Sequence, residues 1–356
     1  MKQLRQAGLS LSPVAMERGW GAEGMRILQA VASHHRHAAW YQQISRTDDL
    51  HLQAMLGDDL RSVAPGLARL AERLKAEMAA AGCGVLVPSL GLAGLDAQTR
   101  ARLVYALCAC IGRPTATDFR KSQLIWDVQN RTPLASSAQL AGVESPAYYA
   151  TFSEHDREAD YHSDTQYYPM PERMVLLYVM EAADCGGGVS RVSDARALRT
   201  ELDQATTAWA YRALSERPLP FRVPDAFRTS DSPDAVQATL APVFASEPAI
   251  RYRRDTLRSG VALFPEHADD EQRAALEVFE AALARSTRVA EFALPRDSLL
   301  LLDNHQALHA RSAFSDAGRH LLRIRLRGDE PEHGQAPYRL IERRIGSPAV
   351  PASSLA

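Results

Sequence analysis

Cysteine is scarce in this 356-residue sequence. There are four, Cys83, Cys108, Cys110 and Cys185, and no two form a CxxC pair. That excludes a disulfide-stapled scaffold and makes a cytoplasmic chain with reduced thiols the expectation. An excess of either charge is missing too. Lys and Arg number 41 against 43 Asp and Glu, for a net charge of -2. Such a balance leaves no electrostatic footprint for nucleic acid, and no basic amphipathic run marks a membrane surface. No apolar stretch approaches the ~18 residues needed to span a bilayer. The opening MKQLRQAGLSLSPVAMERGW lacks the continuous apolar segment of a signal peptide.

What remains is an ordinary globular composition, 46% hydrophobic and 24% charged with 20 Gly and 20 Pro. Collagen-like and wholly disordered chains are excluded. At ~150 residues per domain the length suits about two domains, or one large β-rich domain.

Residues 20–80 read as helical, with Leu67, Leu70, Leu74 and Met78 on one face. That helix stops near Gly82, and Gly84–Pro88 reads as a short buried strand. Asp96 is the expected cap of a second helix carrying Leu103, Leu107 and Ile111. From residue 122 short β-rich runs follow: 123–128, 174–181, 189–193, 250–253 and 298–303. Helices are expected at 194–204, capped by Asp194, and at 269–285, opened by Asp269-Asp270-Glu271. Six prolines between 216 and 248 read as a long irregular excursion of the kind that forms active-site lids. The tail after Asp329 ends in Pro351–Ala356, which reads as frayed. The division is a helical extension (1–80), a β-rich domain (81–330) and a tail (331–356). A helical third followed by many short strands suggests an antiparallel sandwich or barrel with helices packed outside.

Two segments carry chemistry. In Asp160-Tyr161-His162-Ser163-Asp164, His162 and Asp164 project from the same face of an extended strand. Imidazole plus carboxylate chelates a borderline divalent metal, although the tripeptide alone is common by chance. Downstream, the leucine run 299–302 reads as a buried strand followed by Asp303-Asn304-His305 and His309-Ala310-Arg311, and then Arg319-x-x-x-Arg323. A third imidazole beside His162 and Asp164 completes a 2-His-1-carboxylate facial triad with open positions for Fe(II) chemistry. Arginines on the next strand offer a fork for a dicarboxylate.

In order and spacing these segments, with Gly186-Gly187-Gly188-Val189-Ser190 between them, resemble the taurine dioxygenase/clavaminate synthase-like superfamily. Its members are Fe(II)- and 2-oxoglutarate-dependent oxygenases. The resemblance covers about residues 80–328 and implies a mainly β fold with added helices, a double-stranded β-helix (jelly-roll) core. It implies His162, Asp164 and His309 as iron ligands and Arg319 as the partner of the far carboxylate of 2-oxoglutarate. Ser190 stands where the family usually has a threonine helping that carboxylate. Arg323 falls where relatives hold an acidic group of the substrate or the keto-acid end. His305 competes with His309 as a ligand, but in the family that position is usually not one.

Other residues read more plainly. His155 and His320 look structural or surface-exposed. Arg325 and Arg327 alternate with Ile324 and Leu326 as if facing solvent or the helical layer. Arg311 reads equally as a brace for the iron-side loop or as a surface ion pair. The triple glycine lacks the Lys of a phosphate-binding loop and reads as a tight turn.

The reaction implied consumes O2 and 2-oxoglutarate, releases succinate and CO2, and oxidises an unactivated C–H bond. Asp164 fills the carboxylate position that related halogenases leave to chloride. Gln166, Tyr167, Tyr168 and Glu172, with Gln129 and Asn130 at the end of an earlier strand, suit a small polar, zwitterionic substrate. Arg323 would meet its carboxylate. The long helical extension resembles the amino-acid oxygenases of specialised metabolism, so an amino acid or derivative, free or carrier-bound, is the expected substrate. Hydroxylation is the default outcome, and desaturation or ring closure would use the same residues. The rivals are a non-catalytic jelly-roll binding protein and a Zn(II) hydrolytic site. Neither needs both the triad and the arginine pair.

Overall fold

Leu299, Leu300, Leu301 and Leu302 are all buried, and they pack in two directions. Leu299 and Leu301 join a cluster with the N-terminal helices, whereas Leu300 and Leu302 face a second sheet. A strand buried on both faces reads as a continuous apolar run rather than an alternating one. The computed structural model describes residues 2–12, 21–34, 49–116, 124–129, 156–224, 227–230, 232, 234–246, 248–328 and 338–344.

The chain begins with α1 (Lys2–Gln6), β1 (Leu9–Leu11), α2 (Gly21–His34), α3 (Asp49–Val63), α4 (Pro65–Ala81), β2 (Gly84–Val87) and α5 (Ala97–Ile111). Strands β3 (Arg113–Pro114), β4 (Trp126–Gln129), β5 (Ala159–His162), β6 (Met174–Glu181) and β7 (Ser190–Asp194) follow. Next come α6 (Ala195–Leu202), α7 (Ala208–Glu216), β8 (Leu219–Arg222), β9 (Ala235–Ala241), α8 (Arg254–Leu263) and α9 (Asp270–Arg285). The described chain closes with β10 (Val289–Phe292), β11 (Leu299–Asp303), β12 (Ala307–Arg311), β13 (His320–Arg327) and β14 (Arg339–Arg344).

Helices begin where the sequence places caps. Asp96 accepts from Thr99 N, Asp194 accepts from Arg196 N, and Asp269 forms a capping box with Gln272. The major sheet has the order β1-β2-β11-β6-β13-β3, with β4 also paired to β13. The minor sheet runs β10-β7-β12-β5. Their inner faces share one apolar cluster, in which Leu300, Leu302 and Leu321 meet Val192, Ala290 and Ala307. This is the jelly-roll core. Helices α2 to α5 pack on the outer face of the major sheet through Ile27, Leu60, Leu74 and Leu107. The extension thus shares a core with the barrel. Helices α6 to α9 bury a second layer around Phe221, Phe244 and Phe279.

Two expectations are corrected. The proline-rich stretch 216–248 is not irregular, since β8 and β9 lie within it and are buried along their whole lengths. Pro220 is tolerated because β8 is a sheet edge, where a missing N–H costs no ladder bond. Residues 339–344, inside the C-terminal tail, form β14 and pair with β9, and the end read as frayed lies outside the described residues. Residues 250–253 form no strand, only single bridges from Ile250 to Phe244 and from Arg253 to His162.

Candidate metal centre and its cavity

Strands β5 and β12 are neighbours, and their register sets His162 directly opposite His309. Opposed residues of an antiparallel pair share a face, and the two rings meet with centroids 4.2 Å apart. Asp164, in the turn that ends β5, completes the group. Its Oδ1 is 3.6 Å from His162 Nε2 and 3.8 Å from His309 Nε2. One ligand atom from each residue lies within 4.8 Å of the others, and no other such group occurs among the described residues.

Each side chain is prepared for a cation. His162 Nδ1 lies 2.8 Å from the Asp160 carbonyl. A carbonyl only accepts, so Nδ1 donates to it and Nε2 is the ring nitrogen turned toward Asp164. Burial, reinforced by His162, pushes the His309 imidazole down to about 3, so it is neutral at pH 7. Burial alone would raise Asp164. Arg323, with Nη1 3.2 Å from Oδ2, and the two imidazoles outweigh it and hold the carboxyl well below its usual range.

The Asp164 turn is held from several sides. Asn304 Oδ1 accepts from Asp164 N at 2.7 Å, while its Nδ2 donates to the carbonyls of Asp164 and Glu172 at 3.0 and 2.9 Å. Thr165 has φ +53°, a costly conformation for a β-branched residue, and its hydroxyl donates to buried Glu172. Arg251, 2% exposed, donates to the carbonyls of Gln166, Tyr168 and Pro169. Sequence reasoning gave Asn304, Thr165 and Arg251 no role. The Asp303-Asn304 pair ahead of the distal histidine was the available signal for the first, and Glu172 seven residues on was the one for Thr165; Arg251 depends on partners that only the fold brings near.

A cavity opens beside the two histidines, between the sheets. Leu177, Leu300 and Leu321 line it from the major sheet, and Ser190, Val192 and Arg311 from the minor one. Arg319 and Arg323 also line it. Arg319 is buried, lies over the Phe314 ring at 4.8 Å, and its Nη1 has no hydrogen-bond partner among the described residues. Burial, with Arg311 nearby, lowers it to about 10. Gly188, at φ +69°, makes room for it, because a Cβ there would stand 3.0 Å from Arg319 Nε.

The remaining candidates fall elsewhere. His305 is buried with Nε2 2.9 Å from the Pro171 carbonyl and lies outside the three-residue group. Gln166 donates to Thr256 Oγ1 at 2.8 Å, Tyr168 packs edge-on against Tyr167 and Phe227, and Gln129 ends β4 opposite His320. None of these three lines the cavity. His320 pairs with Asp127 at 2.8 Å. Arg325, expected to face solvent or helices, is 2% exposed and shares the inner face of β13 with Leu321 and Arg323. Its guanidinium lies 5.9 Å from the Phe227 ring. His155 and Asn130 lie outside the described residues.

A family model described as taurine catabolism dioxygenase TauD, TfdA family matches residues 50–325. The chain belongs to the TauD/TfdA family. It is therefore an Fe(II)- and 2-oxoglutarate-dependent oxygenase, with O2 as co-substrate. The match begins inside α3, well into the helical extension. No curated protein sequence matches the chain. Among solved structures, an asparagine oxygenase holding Fe(II), 3-hydroxyasparagine and succinate aligns with TM-score 0.60 and 15% identity, over 89% of this chain and 93% of its own. The non-heme iron oxygenase OrfP, with iron, succinate and (3S)-hydroxy-L-arginine, aligns with TM-score 0.53 and 13% identity, over 90% and 94%. At such identities the likeness establishes the TauD/TfdA-type jelly roll alone. No helix among the described residues is long and apolar enough to cross a membrane.

Proposed function

We propose that this oxygenase hydroxylates a C–H bond of a small amino acid or amino-acid derivative, with His162, Asp164 and His309 holding Fe(II). The carrying observation is that the three ligand atoms converge beside a cavity that also receives a buried arginine with a free donor. Two imidazole nitrogens and one carboxylate oxygen suit Fe(II) and leave positions for a chelating co-substrate. The unpartnered Arg319 Nη1, with Ser190 lining the same space, suits the far carboxylate of 2-oxoglutarate. Bound there, iron and 2-oxoglutarate supply the oxidant for C–H cleavage, with succinate and CO2 released.

The protein's own part is binding, orientation and exclusion of water. Asp164 enters ionised and His309 neutral, so neither must lose a proton to ligate at pH 7. Leu177, Leu300 and Leu321 keep the co-substrate's chain against an apolar wall. Arg323, beside Asp164 and the cavity, is the group placed to meet a substrate carboxylate. Tyr168 borders the segment that would cover it. The amino-acid reading draws support from the two solved relatives, which hold hydroxylated amino acids.

The test is a panel of amino acids and derivatives scored by substrate-coupled succinate formation. A hydroxylated product formed only with iron and 2-oxoglutarate supports the reading. Desaturated or cyclised product, or no coupling to any amino acid, overturns it. Arg319→Ala should raise the 2-oxoglutarate requirement by ~100-fold, since stranding one partner of a buried charge pair costs ~3–5 kcal/mol and each 1.4 kcal/mol is tenfold. Arg319→Lys should recover only part, because a point charge lacks the guanidinium fork.

A further inference from the structure

We infer that Arg311 is a second anchor for the far carboxylate of the 2-oxo acid, gripping it together with Arg319. The inference rests on the co-substrate placement proposed above and adds a residue to it. Side chains two apart on a strand share a face, so Arg311 points into the cavity as His309 does, ~6.6 Å further along β12. That step is the reach needed to pass from the chelating end of a five-carbon diacid to its far end. The register agrees, because Arg311 lies directly opposite Ser190, just as His309 lies opposite Val192.

Phe314 ties the two arginines together. The Arg311 guanidinium lies 4.6 Å from its ring centroid and the Arg319 guanidinium 4.8 Å, so one aromatic ring orients both forks. Asp156 is the carboxylate that acts on Arg311, whereas the groups acting on Arg319 are Arg311 itself and the Cys185 thiol. Asp156 offsets part of the Arg311 charge, while the like charge of Arg311 bears on Arg319 and favours an anion beside it. Arg311 Nη2 also donates to the Arg157 carbonyl, a bond that bears on β5. The alternative role is therefore a brace for the strand carrying His162.

Binding of two 2-oxo acids to the Fe(II) protein under anaerobic conditions separates these roles. 2-Oxopentanoate has the same keto-acid end and chain as 2-oxoglutarate but lacks the far carboxylate. Arg311→Gln should weaken 2-oxoglutarate by ~10–100-fold, the loss expected for a hydrogen bond between charged groups, and leave 2-oxopentanoate within ~3-fold. Arg311→Lys should fall between wild type and Arg311→Gln, and it carries the test if the glutamine variant does not fold. Equal weakening of both acids would make Arg311 a brace, and no weakening of either would remove it from the site; each outcome overturns the inference. Failure of the wild-type protein to prefer 2-oxoglutarate over 2-oxopentanoate would instead overturn the underlying co-substrate placement.

Discussion

The Asn304 side chain closes on the backbone of Asp164 as a paired strand would, accepting from its N–H at 2.7 Å and donating to its C=O at 3.0 Å. Asn304 is 1% exposed, so truncation leaves two backbone groups of a proposed metal ligand buried and unpaired. Each such group costs ~1–3 kcal/mol. Asn304→Ala should lower unfolding free energy by ~2–4 kcal/mol and weaken Fe(II) binding more than removal of a comparably buried side chain far from the turn. Denaturant unfolding and metal titration of both variants check this; equal metal affinity in the two would reduce Asn304 to a packing residue.

His305 and His309 lie four apart on the same segment and should respond in opposite ways. His309→Ala removes a side chain opposed to His162 and should abolish Fe(II) binding while the fold survives. His305→Ala removes a ring bound to the Pro171 carbonyl and should cost ~1–3 kcal/mol of stability yet keep stoichiometric metal. Metal content by elemental analysis, beside thermal unfolding, decides between them. Iron retained by His309→Ala would hand the ligand role to another residue.

How much of this was legible depends on what each residue's neighbours in sequence reveal. His162, Asp164 and Arg319 could be named because their spacing matches a known pattern of chemistry. The buried Leu299–Leu302 strand announced itself as an unbroken apolar run. Arg325 was misplaced for the same physical reason. On a strand buried on both faces, Ile324 and Leu326 are as apolar as an inward face would be, so polarity does not reveal which side the arginines take. The β8–β9 pair was hidden by its prolines, which argue against a central strand but not against an edge. Arg251 could not be found at all, since its three acceptors lie more than eighty residues away and only the fold brings them near.

Stability of the metal-free protein should carry a signature of Asp164. Its folded-state pKa lies well below 3.8, so the unfolded chain binds that proton first as pH falls. The stabilisation from the ionised carboxylate is therefore complete above about pH 5, falls as pH passes the unfolded pKa and is lost as pH drops through the folded pKa. Asp164→Asn lacks it. The difference in unfolding free energy between wild type and variant should shrink from about pH 5 to about pH 3, measured by urea unfolding without metal. A difference constant over that range would mean that Arg323 and the imidazoles do not favour the ionised form.

The segment after the metal motif and the β8–β9 region should open as one unit. Thr239, on β9, donates to the Tyr167 carbonyl, and Phe227 packs 5.1 Å from the Tyr167 ring. Arg251 holds the same segment through the carbonyls of Gln166, Tyr168 and Pro169. Arg251→Ala strands those acceptors and should cost roughly 2–4 kcal/mol, concentrated locally. The lost bonds are local and the two segments share contacts, so in Arg251→Ala amide exchange should rise together in residues 165–172 and 235–241 while β6 and β11 stay protected. Opening of this kind is what a cover over the iron site requires if it is to admit substrate and then exclude water. Faster exchange confined to 165–172, with β9 unchanged, would separate the two segments and leave the cover to the shorter one alone.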